Sequence, residues 1–264
     1  MIATKPNSPL QYVSWTISDT LVMTRRNLLR YVRLPQLLIF STIQPVMFVL
    51  LFAFVFGGAI DVSGADYVDF LLPGIFVQAV VFGSTQTGVG LAEDLSKGMI
   101  DRFRSLPMAR PAVLAGRTLA DTVRNGFVLL LMTGVGYLIG FNFHNGLGNA
   151  VIALTIALLF GLAFSWISAL IGMALKDVES AQAAGFVWVF PLVFASSMFV
   201  PVETMPDWLQ AFAKVNPISI AVDAVRAFSL GTPAWAPLLK SLAWTFGILV
   251  VFVPLAVMRY RRAA

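Results

Sequence analysis

The chain has 264 residues, 58% of them hydrophobic and only 12% charged, with a mean hydropathy of +0.84. A globular domain carries roughly 25% charged residues, so this is the composition of an integral membrane protein. With no cysteine and one histidine, His144, it excludes a disulfide framework, a thiolate site and any site needing two imidazoles.

Residues 1–10 read as disordered, and the first 30 hold no apolar run, which argues against a cleavable signal peptide. From 11 to 34 the pattern becomes helical. Ile17, Leu21, Leu28 and Val32 form one stripe, and Arg26, Arg30 and Arg33 occupy the opposite side. A basic amphipathic helix of this kind lies flat at an anionic membrane surface, against membrane lipid. The plainer alternative is a polar lead-in to a span.

Uncharged runs over 34–60, 70–92, 125–175, 180–202 and 241–258 then mark the spans. The third is long enough for two, folded at the turn Phe141–Gly146 around His144. A span needs about 20 apolar residues, so the expected fold is an all-α integral membrane protein of six transmembrane helices. Their expected ranges are 36–60, 70–92, 112–141, 148–175, 181–201 and 239–258, within one transmembrane domain covering 1–264. With both termini cytoplasmic, every Lys and Arg falls inside except Lys214, Arg226 and Lys240, as the positive-inside rule demands. The net charge of +5 is thus a topology signal, and no nucleic-acid partner is expected.

Between spans two and three lies the most polar and most patterned stretch of the first half, residues 93–107. Met99, Phe103 and Leu106 fall on one helical stripe, with Lys97, Asp101 and Arg104 turned away. Asp94 is placed to cap this helix and Pro107 to stop it. So short a two-faced helix does not persist alone in water, so it must lie against something. The expected ligand of its apolar stripe is a cytoplasmic partner, with Glu93, Asp94, Lys97, Asp101, Arg102 and Arg104 fixing register.

Two regions are irregular. Arg117, Asp121 and Arg124 sit on the first turns of span three at spacings that let them neutralise one another. Either that helix protrudes into the cytoplasm, the favoured reading, or the cluster lines a polar inward-facing vestibule. The segment 202–230 is too polar for a span and too apolar for a loop. After Glu203, residues 205–215 read as a first short helix with Trp208 and Phe212 at i, i+4, and Asn216-Pro217 caps and opens a second, on which Asp223 and Arg226 are i, i+3 partners. Two such helices describe a re-entrant hairpin dipping in from the outside.

Catalysis finds no parts. No Gly-x-x-x-x-Gly-Lys-Ser/Thr occurs, so the chain cannot itself cradle ATP, and no cofactor or metal is expected in it. Proton or sodium coupling needs acidic residues inside spans, and the expected cores hold none. They do hold Gln44, Gln78, Gln86 and Gln182, which either bond neighbouring helices or line a substrate path. The result is a membrane pathway without an engine, plus a cytoplasmic helix where an engine could push.

Three stretches carry a resemblance. RRNLLRYVRLPQLLIFSTIQPVMFVLLFAFVFGGAI, EDLSKGMIDRFRSLPMARPAVLAGRTLADTVRN and FVPVETMPDWLQAFAKVNPISIAVDAVRAFSLG are similar to the membrane subunits of type 2 ABC exporters, in the branch of the daunorubicin/doxorubicin-resistance permeases. The similarity spans residues 20–262, with Asp94, Lys97, Gly98, Arg102, Leu106, Pro107 and Arg117 at the family's positions. It implies a pair of identical or homologous six-span permeases with two copies of a separate cytoplasmic P-loop ATPase, which binds the ATP and Mg. It also implies that 93–107 is the coupling helix, 14–34 the elbow helix and 202–230 the outer hairpin. The implied function is export of a hydrophobic or amphipathic drug-like compound or lipid across the bacterial cytoplasmic membrane. Export of a lipid-linked polysaccharide is the alternative within the family, and a channel or scaffold without ATP coupling the alternative outside it.

Overall fold

The computed structural model describes residues 9–57, 66–105, 108–175 and 177–262, so Leu106 and Pro107 lie outside the described residues. Every regular element among the described residues is helical. In chain order these are α1 (Pro9–Arg33), α2 (Pro35–Leu51, continuing as a π-helical turn over Phe52–Phe56), α3 (Tyr67–Ser96) and α4 (Met99–Ser105). There follow α5 (Arg110–Leu138), α6 (Gly146–Leu175), α7 (Val178–Phe194), α8 (Asp207–Val215), α9 (Pro217–Leu230) and α10 (Trp235–Arg262). By length and composition α3, α6 and α10 can each cross a bilayer, and two shorter apolar helices, Ser41–Val55 and Val178–Phe194, accompany them.

The bundle is built around α3, which is buried along most of its length and packs on α6, α7, α5 and α9. Small residues let α3 and α6 touch backbone to backbone. A Cβ at Gly172 would sit 2.1 Å from the Gly88 carbonyl oxygen, and one at Gly88 would sit 2.4 Å from that of Ser168. In lipid, where apolar burial does not drive helices together, such close approach is the main source of packing energy. The same device seats α1 on α5, since a Cβ at Gly116 would meet Met23 and the Thr20 carbonyl.

Two apolar clusters fill the interior. One joins α3, α5, α6, α7 and α9 toward the end that carries α8 and α9. The other joins Met23, Leu91, Ile100, Leu114, Trp166, Met173 and Tyr260 at the end that carries α4. Along α5 the first begins at Val128 and the second ends at Leu114. The residues between, Arg117, Thr118, Asp121, Arg124 and Asn125, form a buried polar seam.

α9 is buried on most of its surface among α3, α6 and α10, whereas α8 leaves Trp208 and Phe212 exposed. The turn 139–145 is pinned from two sides. His144 donates its backbone N–H to the Ser229 carbonyl (3.0 Å), and its Nε2 lies 3.0 Å from Asp69 Oδ2 on the first turn of α3. Asp69 also accepts from the Asn142 N–H (3.2 Å). His144 thus ties the turn to both α9 and α3.

Candidate functional site

The polar seam starts with α1. Its buried face is Thr20, Met23, Thr24, Asn27 and Tyr31. Thr20 and Thr24 can be buried because each hydroxyl donates back to the carbonyl one turn earlier, at 2.6 and 2.7 Å. The apolar stripe read from the sequence points outward instead: Ile17, Leu21 and Val32 are exposed.

At the centre is Asp121, which has no exposed surface. It accepts hydrogen bonds from the Tyr31 hydroxyl, from Thr87 Oγ1 at 2.6 Å and from Arg117 Nε at 3.2 Å, with Arg124 Nη1 3.6 Å away. Arg124 donates in turn to the Tyr31 hydroxyl (3.1 Å), the Gly83 carbonyl (2.6 Å) and Asn125 Oδ1 (3.1 Å). Burial, with the Asp121 carboxylate beside it, pushes the Tyr31 phenol up to about 12, so it stays a donor. The cluster is not bare: α1 packs along α5 and covers it from the side. A carboxylate fully out of water persists because four donors surround it.

Beside the network lies a cavity of about 340 Å³, walled by α1, α2, α3, α5 and α7. Gln44, Gln78 and Gln86 all line it, with Gln182, Arg30, Glu93, Arg117 and Arg124. Sequence reasoning had the four glutamines but not Asn27 or Asn125, which reach the cavity only through packing.

At the α4 end, the expectation that Asp94 caps the amphipathic helix is also corrected. α3 runs on through Ser96, Lys97 caps it, and Gly98, at φ +66°, makes the bend before α4 begins at Met99. Glu93 and Asp94 are thus the last turn of α3, and both pair with α1: Arg30 Nη2 lies 2.6 Å from Glu93, and Arg26 Nη2 3.6 Å from Asp94. Lys97 closes on Glu93 at 2.6 Å. The basic face of α1 therefore turns toward protein, with Arg26 and Arg30 half-buried and Arg33 exposed. Arg33 and Arg25 line a second, shallow groove with Val22, Leu29 and Leu34.

α4 itself is held against α1. The Arg26 guanidinium sits over the Phe103 ring, and Asp19 Oδ2 accepts the Ala109 N–H at 2.8 Å, so α1 grips the chain on both sides of residues 106–107. Phe103 and Met99 are half-buried, Ile100 is fully buried and Arg102 is exposed. The inward face is thus Ile100 and Phe103, and Ile100 was missed because it lies off the Met99–Phe103 stripe. Asp101 and Arg104 lie on the same helix.

In the hairpin, Asn216 caps α9 by accepting from the Ile218 N–H (2.9 Å), and its amide donates to the carbonyls of Leu192 (2.7 Å) and Ala195 (3.0 Å). Pro217 fills the first helical position. Arg226 does pair with Asp223, at 3.4 Å, but it also donates to the Phe70 carbonyl from Nε and Nη2, both at 3.1 Å, and to the Ser197 carbonyl at 3.0 Å. The carboxylate is thus a secondary partner. Glu203 is exposed on a short 3₁₀ turn, Val202–Thr204.

Residues 18–229 match the family model described as ABC-2 type transporter. The daunorubicin resistance ABC transporter permease protein DrrB1 of Streptomyces coeruleorubidus is 37% identical over 245 residues, covering 93% of this chain and 87% of its own. A probable doxorubicin resistance ABC transporter permease protein DrrC of Mycobacterium tuberculosis is 30% identical over 250 residues, covering 94% and 90%. A putative transport permease, ycf38, of Cyanophora paradoxa is 24% identical over 214 residues, covering 80% and 73%. A family match over most of its length, with relatives at 37% and 30% identity covering over 90% of it, places the chain in the ABC-2 type transporter family, as a permease.

Proposed function

We propose that the chain is the permease subunit of an exporter that moves an amphipathic or hydrophobic compound outward across the bacterial cytoplasmic membrane. The observation that carries the reading is the cavity of about 340 Å³ between α1, α2, α3, α5 and α7. Its volume falls in the range of small-molecule sites, roughly 300–1,000 Å³. It holds both amide and guanidinium groups and apolar walls, among them Phe82, Val128 and Phe186.

In this reading the chain crosses the membrane six times with both termini inside. The spans are α2, α3, α5, α6, α7 and α10, α1 is the elbow helix, and α8 and α9 are the outer hairpin. α4 is the coupling helix, pushed by two copies of a separate P-loop ATPase, which binds ATP and Mg, while a second permease completes the path. The strap between α1 and α4 supports this, because a push on α4 reaches the cavity through Arg30 and Tyr31, both of which line it. Outward passage follows if that push spreads the cavity walls toward the hairpin.

The test is reconstitution in vesicles with a P-loop ATPase subunit that binds it. Outward movement of an amphipathic dye should require ATP and should fail in Phe103→Asp, with insertion intact. Flux without nucleotide would make the chain a channel, and no flux with any amphiphile would leave it a scaffold.

A further inference from the structure

The charges around the cavity do not balance. Glu93 is taken up by Arg30 and Lys97, both at 2.6 Å. Asp94 acts on Arg117 from farther off but is paired with Arg26 at 3.6 Å, so the one carboxylate that Arg117 and Arg124 bond directly is Asp121, which already accepts from Tyr31 and Thr87. Both guanidinia line the cavity and are less than a tenth exposed. One positive charge is therefore in excess within an apolar bundle, where an uncompensated charge is expensive.

The polar atoms are also incompletely used. Arg124 Nε and Gln78 Oε1, both buried and both on cavity-lining residues, have no hydrogen-bond partner. From Gln78 to Glu93 the cavity follows α3 for roughly 22 Å at 1.5 Å per residue, with Phe82 and Phe186 along it. It thus offers a cationic wall and an apolar wall to one occupant. A purely structural triad would need no such surplus, since a second carboxylate would neutralise it.

We propose that this cavity binds an anionic head group, a phosphate or carboxylate carried on an apolar body, with Arg117 and Arg124 supplying the charge and Gln78 a polar contact. The proposal names the cargo class of the exporter read above and rests on that reading. A guanidinium is suited to it, because its planar donors match both oxyanions.

The test measures binding to the purified permease alone, in a non-ionic detergent, by equilibrium dialysis of dodecyl phosphate, dodecanoate, dodecanol and dodecylammonium. Dodecyl phosphate and dodecanoate should bind saturably and at least about tenfold more tightly than dodecylammonium or dodecanol, the factor expected of one charged hydrogen bond. Gln78→Glu places a carboxylate on the wall of the cavity that the surplus charge also lines. It should keep or raise the melting temperature and lose the anionic amphiphiles by a similar factor, whereas Gln78→Leu should lose less. Equal binding of anionic and cationic amphiphiles, or undiminished dodecyl phosphate binding in a folded Gln78→Glu protein, overturns the proposal.

Inorganic phosphate separates the two sources of the anion. Failure to compete at millimolar concentration supports an amphiphile, and competition as strong as that of dodecyl phosphate overturns the apolar body. Because no ATPase is present, anion binding with no ATP-dependent export would sink the exporter reading and not this site. Export without anion preference would do the reverse.

Discussion

The Arg26 guanidinium lies 4.5 Å above the centre of the Phe103 ring, while the same arginine reaches Asp94 at 3.6 Å. One side chain of α1 thus ties together the last turn of α3 and the body of α4. A cation over an aromatic face contributes roughly 0.5–2 kcal/mol, depending on how dry it is. Phe103 is half-buried, so a value near the middle, about 1 kcal/mol, is expected.

The first prediction is a double-mutant cycle. Phe103→Leu keeps an apolar group in the second cluster and Arg26→Gln keeps a donor for Asp94, so each removes the ring contact by itself. Melting in detergent should show coupling of about 1 kcal/mol between them. Additive losses would remove the contact from the account. In vesicles with the ATPase, the same pair should lose coupling between ATP hydrolysis and transport together.

The second concerns Asp121. Asp121→Asn leaves two buried guanidinia without a countercharge, and removing one partner of a buried ion pair costs about 3–5 kcal/mol. The variant should melt far below the wild type. Adding Arg117→Gln should recover part of the loss, because one of the stranded charges is then gone. If Asp121→Asn melts normally, the seam is wetter than its burial indicates.

How much of this was legible beforehand follows from what a linear pattern can carry. The cap and proline at Asn216-Pro217 are local chemistry, and α9 opens there. The end of α3 was misplaced because charges at Glu93 and Asp94 mark a change of surroundings, while the helix itself breaks only at Gly98. The charged triad of the seam was legible from its spacing, but its cover was out of reach for another reason. Tyr31 and Asp121 are 90 positions apart, and nothing in the spacing of Arg117, Asp121 and Arg124 says that a helix from the other end of the chain will cover them. The glutamines were visible as polar residues in apolar runs, but only the packing of five helices puts four of them on one cavity.

The third prediction tests the α3–α6 contact. A methyl group at residue 172 would have to displace the backbone of Gly88, which cannot swing aside as a side chain does. Gly172→Ala should destabilise the protein by about 1–3 kcal/mol, the usual cost of overpacking. Gly134→Ala on α5, where a Cβ meets nothing within 4 Å, is the control and should gain slightly from helix propensity. Equal melting of the two variants would show that α3 and α6 can part freely.

The last prediction separates two residues that the sequence presents as a pair. Asp223 is half-exposed, with a side chain 50% accessible, and its bond to Arg226 is 3.4 Å long. Arg226 is 13% accessible, lies 3.7 Å over the Phe70 ring and holds two carbonyls, those of Phe70 and Ser197. Asp223→Ala removes one exposed partner of the guanidinium and the acceptor for Ser197 Oγ, a loss of at most about 1 kcal/mol. Arg226→Lys keeps the charge but gives up the planar fork, so one carbonyl loses its donor and the ring loses its stacked plane. Its cost should be about 2–3 kcal/mol. Melting curves of both variants in the same detergent check the order. If Asp223→Ala proves the more damaging, the hairpin is held by the ion pair and not by the clamp on the start of α3.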